Sequence, residues 1–136
     1  MEEKIEGFMI STDKSLLDIE AITEFLGKSY WANQRTQETI IKSIENSLCY
    51  GVYENGKQVG FARVVTDGVT MYWLCDVYID ERYRGVGIGK KLISTIIHSE
   101  ELKNLNGILG TLDAHGLYEQ YGFIQVQDRF MRRKAQ

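Results

Sequence analysis

Residues 84–91 read Arg-Gly-Val-Gly-Ile-Gly-Lys-Lys, and they lie between an apolar run that predicts a strand and an amphipathic run that predicts a helix. Glycines alternate along this stretch, so backbone N–H groups at the start of the helix can face an anion with no Cβ in the way. A helix N-terminus adds about 0.3–1 kcal/mol to the binding of a neighbouring anion. Arg82, Arg84, Lys90 and Lys91 add positive charge with no acidic residue among them. The stretch therefore predicts a phosphate-binding loop.

The length and charge of the chain favour one globular domain with a small anionic ligand. A chain of 136 residues has the usual length of a single domain, so we expect one domain over residues 1–136. The formal net charge of −3 argues against broad nucleic-acid binding, which usually needs a basic face. No apolar run approaches the roughly 20 residues that span a membrane, and the N-terminus lacks a signal-peptide pattern. We therefore expect a cytoplasmic protein without nucleic-acid or membrane partners.

Cys49 and Cys75 each lie inside an apolar run, far apart in the sequence. They form no Cys-x-x-Cys pair, and no histidine stands at metal-ligand spacing beside them. We predict that both are buried free thiols in a reducing compartment and that the protein binds no metal.

The chain before the loop predicts a strand, two helices and an antiparallel meander. Residues 4–12 predict the strand, and apolar side chains at helical spacing predict helices over residues 15–28, with Ser15 as the N-cap, and after Thr36. Two turn signals, Asn-Gly and Asp-Gly, then separate apolar runs and indicate tight hairpins. The runs cover residues 48–54, 58–66 and 69–80, with the turns at Asn55-Gly56 and Asp67-Gly68.

The chain after the loop predicts a helix over residues 90–98 and a strand over residues 108–112. Because a helix separates this strand from the one that begins near Met71, we expect the two to be parallel. A short helix over residues 114–121, capped by Asp113, and final strands over residues 123–126 and 129–132 complete the prediction. The class is α+β, a mixed α/β arrangement in the order β-α-α-β-β-β-α-β-α-β-β.

Two familiar phosphate loops do not fit residues 84–91. The Walker loop needs four residues between its glycines and a Ser or Thr after the lysine. Here three residues separate Gly85 from Gly89, and Lys91 stands at the hydroxyl position. The dinucleotide fingerprint needs G-x-G-x-x-G at the start of a repeating βαβ unit, whereas this chain has G-x-G-x-G after a meander.

The pattern Arg84-x-x-Gly87-x-Gly89 resembles the acyl-coenzyme-A pyrophosphate loop of the GCN5-related N-acetyltransferase (GNAT) family. Residues 77–85 resemble the strand-to-loop passage of that family, and residues 114–123, which read Ala-His-Gly-Leu-Tyr-Glu-Gln-Tyr-Gly-Phe, resemble its second motif. Glu81 replaces a frequent proline, and Thr111 replaces a frequent asparagine, which leaves the pantetheine contact at Thr111 or Asp113 open. The resemblance implies a three-layer fold with a mostly antiparallel sheet flanked by helices.

The resemblance also implies acetyl-coenzyme A as co-substrate, lying between the strands 69–80 and 108–112, which splay apart. The backbone of the first strand would bind pantetheine, and the amides of the loop would hold the pyrophosphate. The implied coenzyme-binding residues are Val77, Tyr78, Ile79, Arg84, Gly85, Val86, Gly87, Ile88, Gly89 and Lys90.

Acetyl transfer to an amine requires removal of a proton from the amine and protonation of the departing thiolate. Tyr118 matches the family tyrosine that protonates the thiolate, and a phenol with a reference pKa of about 10 carries the necessary proton at neutral pH. The alternative for Tyr118 is simple packing. Asp76 is a candidate base acting through water, because an acid inside an apolar strand is costly unless used or paired. A structural acceptor role for Asp76, and deprotonation by solvent, stay open.

The acceptor pocket is expected in the loop between the first two helices. Tyr30, Trp31 and Arg35 are candidate substrate-binding residues, able to hold a carboxylate-bearing or aromatic amine, although Tyr30 and Trp31 could instead cover the core. We predict an N-acetyltransferase that acts on a primary amine of a small molecule or peptide. A non-catalytic acyl-coenzyme-A sensor is the alternative, and a nucleotide-binding protein is a distant third. A homodimer is possible, with the final strands pairing across the interface.

Overall fold

In the described part of the chain, six strands form one sheet in chain order; the neighbouring pairs are antiparallel except the last, which is parallel. The computed structural model describes the backbone of residues 2–135 and the side chains of residues 6–135. This arrangement confirms the mixed, mostly antiparallel sheet and the parallel final pair. The strands are β1 (Glu2–Ile5), β2 (Phe8–Ser11), β3 (Leu48–Glu54), β4 (Lys57–Thr66), β5 (Met71–Ile79) and β6 (Asn106–Leu109).

Helices cover both faces of the sheet. On one face, Ile22, Phe25 and Ile40 pack with Phe61 and Tyr78, and on the other a second apolar cluster joins the sheet to the long helix that follows the glycine loop. Burying each such side chain contributes about 1.5–3 kcal/mol, so the two clusters hold the three layers together. The predicted three-layer α+β fold is confirmed. The α-helices are α1 (Ile19–Gly27), α2 (Gln37–Glu45), α3 (Ile88–His98) and α4 (His115–Glu119), and Lys14–Leu16 and Glu81–Tyr83 form 3₁₀ turns.

Side-chain caps fix where α1 and α2 begin. The Asp18 carboxylate accepts a hydrogen bond from the Ala21 amide at 3.1 Å, so α1 begins at Ile19 and not at the predicted Ser15, which lies in a 3₁₀ turn. A carboxylate at the N-cap also interacts favourably with the helix dipole. The Thr36 hydroxyl accepts from the Thr39 amide at 3.2 Å, which confirms the predicted start of α2.

The first predicted hairpin turn is confirmed by its backbone angles. Asn55 and Gly56 have φ values of 50° and 81°, the left-handed pair that a type I′ turn requires. The turn joins β3 to β4, and Glu54 pairs with Lys57 directly across it.

The prediction of one continuous strand over residues 4–12 is wrong, because these residues lie in a hairpin of two strands, β1 and β2. Gly7 has a φ of 81°, and the two-residue turn at Glu6 and Gly7 brings Ile5 opposite Phe8. A glycine inside a short apolar run can thus mark a turn as well as a strand interior.

The strands predicted over residues 123–126 and 129–132 do not form, because residues 120–135 contain no strand. Ile124 and Met131 are 80% and 94% exposed, so their burial does not offset the entropy of ordering a strand. These strands therefore supply no basis for the expected dimer. Asp113 is also not a cap: the Ala114 amide donates to the Thr111 hydroxyl at 3.1 Å instead.

The parallel pair of β5 and β6 is short. Its register runs from Met71 opposite Asn106 to Leu74 opposite Leu109, while β5 continues to Ile79. The two strands therefore separate after Leu74, as the resemblance implied, and the gap between them positions the site. No helix within residues 2–135 combines the length and apolarity that crossing a membrane requires.

Candidate active site

A cleft of about 1350 Å³ opens where β5 continues past the end of β6. Its walls come from β5, the loop between α1 and α2, the glycine loop, and the segment that leads into α4. The cleft brings together the candidate catalytic, coenzyme-binding and substrate-binding residues except Val86, whose side chain is exposed, and the basic residues Arg82 and Lys91 also lie outside its lining. The predicted residues that line it are Tyr30, Trp31, Arg35, Asp76, Val77, Tyr78, Ile79, Arg84, Gly85, Gly87, Ile88, Gly89, Lys90 and Tyr118.

A β-bulge in β5 opens the cleft. Phe61 of β4 lies opposite Tyr78 and Arg63 lies opposite Cys75, so Asp76 and Val77 together face a single residue of β4. Asp76 has a φ of 54°, a left-handed conformation that aspartate tolerates better than most residues. A bulge bends its strand, and β5 leaves β6 at this point.

The glycine loop presents backbone N–H groups to one end of the cleft. Gly85 and Gly87 have φ values of 85° and 91°, which favour glycine strongly over any residue with a side chain. Gly87 is the N-cap of α3, and the first bond within the helix runs from the Lys91 amide to the Gly87 carbonyl. The amides before Lys91 belong to the first turn, where an α-helix offers them no partner of its own.

Gly89 differs from the other two glycines of the loop. Its φ is not left-handed, and a Cβ added there would approach Ile79 at an ordinary contact distance of 3.8 Å. The folded protein alone therefore does not require glycine at this position. Because Gly89 lines the cleft, the missing side chain leaves room for a ligand against the helix N-terminus.

Two of the basic side chains of this segment are engaged by the protein itself. The Arg84 Nε donates to the Ile79 carbonyl at 2.8 Å, and its guanidinium carbon lies 4.9 Å from the centre of the Tyr78 ring. Arg82 pairs with Asp80 at 2.8 Å and holds the pKa of that carboxyl below its ordinary value. Two of the four basic side chains of the segment thus already have partners within the protein.

At the opposite end of the cleft, Asp76 is the centre of a buried polar cluster. Its Oδ1 accepts from the Trp31 Nε1 at 3.0 Å, and its Oδ2 accepts from both Arg35 Nη1 and Arg63 Nε at 2.8 Å. The side chain of Asp76 is 1% exposed, and Arg63 also donates to the Ser47 hydroxyl at 3.0 Å. The cluster fixes the loop between α1 and α2 to the sheet.

That loop also reaches across to the far side of the cleft. The Leu112 amide donates to the Tyr30 hydroxyl at 3.0 Å, and the rings of Tyr30 and Trp31 pack edge to face at 5.0 Å. Both rings remain partly exposed, Tyr30 by 52% and Trp31 by 39%. They therefore form a wall of the cleft and do not merely cover the core.

The side chains of Tyr118 and Cys75 line the same cleft, and both are protonated at neutral pH. Burial, followed by the nearby Tyr30 and Asp113, raises the pKa of Tyr118 to about 12, so its phenol carries a proton at neutral pH. Burial likewise raises the pKa of Cys75 to about 11, and a thiol is a much weaker nucleophile than a thiolate. Both cysteines are free thiols, as predicted, and Cys49 is buried, but Cys75 is only half-buried because it lines the cleft.

Sequence reasoning missed Arg63, which binds Asp76 from the neighbouring strand. The available signal was a charge inside the apolar run Val59-Gly60-Phe61-Ala62-Arg63-Val64, since a buried charge calls for a partner of opposite sign. The carboxylate of Asp76 on the adjoining strand was that partner. Among residues 2–135, no group of three or more His, Cys, Asp and Glu side chains is placed to hold a metal ion.

Comparison with known proteins identifies one family. The profile of the Acetyltransferase (GNAT) domain matches residues 45–125. A solved GNAT-family protein from Xanthomonas campestris pv. campestris is 37% identical, covers 94% of this chain and 93% of its own, and superposes with a TM-score of 0.90.

Two curated relatives match over shorter stretches. A Gibberella zeae protein named as an acetyltransferase is 29% identical over 65% of this chain and 62% of its own length. The spermine/spermidine N(1)-acetyltransferase of Bacillus subtilis is 34% identical over 54% of this chain and 57% of its own. The chain thus spans little more than half of these relatives.

Proposed function

We propose, since the chain belongs to the GNAT family of acetyltransferases, that it transfers the acetyl group of acetyl-coenzyme A to a primary amine of a small molecule or peptide. The chain is an acyltransferase. The observation that best supports acetyl-coenzyme A and a primary amine as its substrates is the cleft between β5 and β6. This one cleft joins a row of open helix-terminal amides to a protonated tyrosine and then to a polar aromatic pocket.

The donor end of the cleft suits the pyrophosphate and pantetheine of coenzyme A. Amides from Gly85 to Lys90 face a phosphate as helix N-termini commonly do, and the space beside Gly89 admits it. The backbone of Val77, Tyr78 and Ile79 lies beyond the last paired residues of β6, so a ligand can bind there as an added strand, although the Ile79 carbonyl already accepts from Arg84.

The reaction that we propose proceeds in a ternary complex by direct attack. The amine nitrogen forms a bond to the acetyl carbon, the carbon–sulfur bond breaks, and the nitrogen loses one proton. Tyr118 donates its proton to the departing sulfur and recovers one from solvent. The raised pKa of Cys75 supports direct attack over a thioester intermediate on the enzyme.

Of the two roles considered for Asp76, its contacts support that of structural acceptor. Three donors already occupy the carboxylate, and a base needs a lone pair directed at the substrate or at a water. We propose that solvent removes the proton of the amine. The cytoplasmic location and the homodimer stay predictions.

The test combines binding with turnover. Calorimetry with acetyl-coenzyme A should show one site, and release of free thiol should follow when a panel of primary amines is added, including polyamines, amino acids, amino sugars and peptides. Binding without thiol release from any amine would support the sensor and contradict the proposed activity.

A further inference from the structure

We propose that the amine acceptor carries an anionic group, a carboxylate or a phosphate, and that Arg35 binds this group. The inference rests on the proposed acetyl transfer and names the chemical class of its acceptor. It starts from the buried cluster of Asp76, Arg35, Arg63 and Trp31, which lies at the end of the cleft away from the glycine loop.

The cluster holds more positive than negative charge. Arg35 and Arg63 both donate to the same oxygen of Asp76 at 2.8 Å, so two guanidinium groups share one carboxylate. The excess positive charge lies where water is scarce, because the side chains of Arg63 and Asp76 are only 13% and 1% exposed. An anion that enters this end of the cleft would balance the charge in a region of low dielectric.

Arg35 is the member of the cluster that a ligand can reach. Its side chain is 30% exposed and lines the cleft, whereas Arg63 is turned toward Ser47 and Asp76. One N–H of Arg35 is used by Asp76, and a guanidinium has several more donors in a planar fork that suits carboxylates and phosphates. Asp76 thus orients Arg35 and leaves several of its N–H donors able to bind a ligand.

The remaining charges of the cleft agree with this assignment. The lining has four basic side chains, Lys28, Arg35, Arg84 and Lys90, against three acidic ones, Asp76, Glu81 and Asp113. The one buried acid, Asp76, is fully engaged, and the other two are exposed at the surface. A polycationic acceptor would therefore find no desolvated carboxylate to bind.

In this scheme Asp76 is a positioning residue. Its left-handed φ of 54° and its place in the bulge of β5 set the carboxylate under the loop between α1 and α2. A strained conformation of this kind persists where surrounding contacts determine it. Asp76 acts on the acceptor through Arg35 and Trp31 and does not contact it.

The experiment compares matched amines that differ in one charge. Steady-state kinetics would use amino acids beside their amides, an amino sugar beside its phosphate ester, and a polyamine. We expect kcat/KM at least tenfold higher for the anionic member of one or both pairs, and the two pairs separate carboxylate from phosphate. The absence of this preference in both pairs, or a higher kcat/KM for the polyamine than for either anionic amine, would overturn the proposal.

Variants assign the preference to one residue. Arg35→Gln should abolish it mainly through a higher KM for anionic amines, and Arg35→Lys should retain part of it. Lys42→Gln, an equal change of charge on exposed α2, is the control and should keep the preference. An equal loss for charged and uncharged amines in Arg35→Gln would contradict the role of Arg35.

A binding measurement separates this proposal from the acetyl transfer on which it rests. If acetyl-coenzyme A binds but no amine reacts, the proposed function fails, yet calorimetry with the same amine pairs still tests the anion site. Tighter binding of the anionic member that disappears in Arg35→Gln would support the site. Equal binding of both members would refute it.

Discussion

The two ends of the cleft are built from different parts of the chain. The glycine loop is one continuous segment whose functional groups are backbone amides, held by left-handed glycines and by the start of α3. The opposite end is a side-chain cluster in which Trp31, Arg35, Arg63 and Asp76 come from the α1–α2 loop, β4 and β5. A backbone site requires a local sequence pattern, whereas a side-chain site requires a tertiary fold. The following substitutions address this difference.

Tyr118→Phe should have the largest effect, because it removes the hydroxyl that we propose as the proton donor. We expect kcat to fall by about 100- to 10,000-fold, the range usual for general acid catalysis, with the Kd for acetyl-coenzyme A unchanged. Since the pKa of Tyr118 is raised to about 12, wild-type kcat should show no loss from this group below about pH 10.

Tyr53→Phe is the matched control for this substitution. Tyr53 is buried, and its hydroxyl has no hydrogen-bond partner among the side chains and backbone that the structure describes, so its removal should leave kcat unaltered and stability equal or higher. Equal rates for Tyr118→Phe and the wild type would remove the tyrosine from the mechanism.

Asp76→Asn should have the next largest effect, and it should fall on the side-chain end. Asparagine tolerates the left-handed backbone but leaves the Arg35 and Arg63 guanidinium groups without their carboxylate. We expect the free energy of unfolding to fall by about 3 kcal/mol, the low end of the range for breaking a buried ion pair, because Arg35 is partly exposed. Urea denaturation measures this loss.

The same variant distinguishes the two roles of Asp76. The Kd for acetyl-coenzyme A should change little, whereas the KM for the amine should rise. A large fall in kcat for Asp76→Asn, with the KM for the amine unaltered, would instead identify Asp76 as the base.

A pair of glycine substitutions addresses the backbone end. Gly87→Ala places a Cβ on a left-handed residue, which costs about 1–2 kcal/mol of stability, and it should also weaken coenzyme binding. Gly89→Ala should leave stability equal or raise it by up to about 1 kcal/mol, while its Cβ intrudes on the ligand and raises the Kd. Thermal unfolding and calorimetry of both variants check this, and normal coenzyme binding by Gly89→Ala would show that the space serves no ligand.

Cys75→Ala should have the smallest effect. The thiol lines the cleft but stays protonated, because burial raises its pKa to about 11, so kcat should remain within about twofold of the wild type. An inactive but folded Cys75→Ala protein would point to a covalent intermediate. Mass spectrometry after incubation with acetyl-coenzyme A alone would detect that intermediate as an acetylated protein.

Most of the donor end could be predicted from the sequence because its determinants are local. Glycine spacing, the apolar stripe of α3 and the turn at Asn55-Gly56 each act within a few residues. The tight turn predicted at Asp67-Gly68 was wrong: Thr66 pairs with Tyr72 across a longer loop, and β5 begins at Met71 and not at Val69. The N-terminal hairpin was missed because Gly7 is a weak mark inside a short apolar run. The two final strands were wrongly predicted because alternation alone does not show whether a side chain such as Ile124 has anything to pack against.

The end of the cleft formed by the side-chain cluster around Asp76 was only partly predictable, for a different reason. Tyr30, Trp31, Arg35 and Asp76 were each identified, but their hydrogen bonds depend on the bulge in β5, which follows from the register of β4 against β5. Arg63 was missed because its importance comes only from that register. The predicted Asp113 cap likewise does not form: α4 begins after Ala114 with no side-chain cap, and the Thr111 hydroxyl accepts from the Ala114 amide in the preceding loop.

The parallel pairing of β6 with β5 also ties ligand binding to the assembly of the chain. Each of β2 to β6 pairs with the strand before it, but only the β5–β6 pair is parallel, and its connection runs through the glycine loop and α3. Closing such a connection costs entropy before any contact rewards it. The cleft exists only when β6 is paired with β5, so any molecule that binds the cleft stabilises the folded chain by mass action.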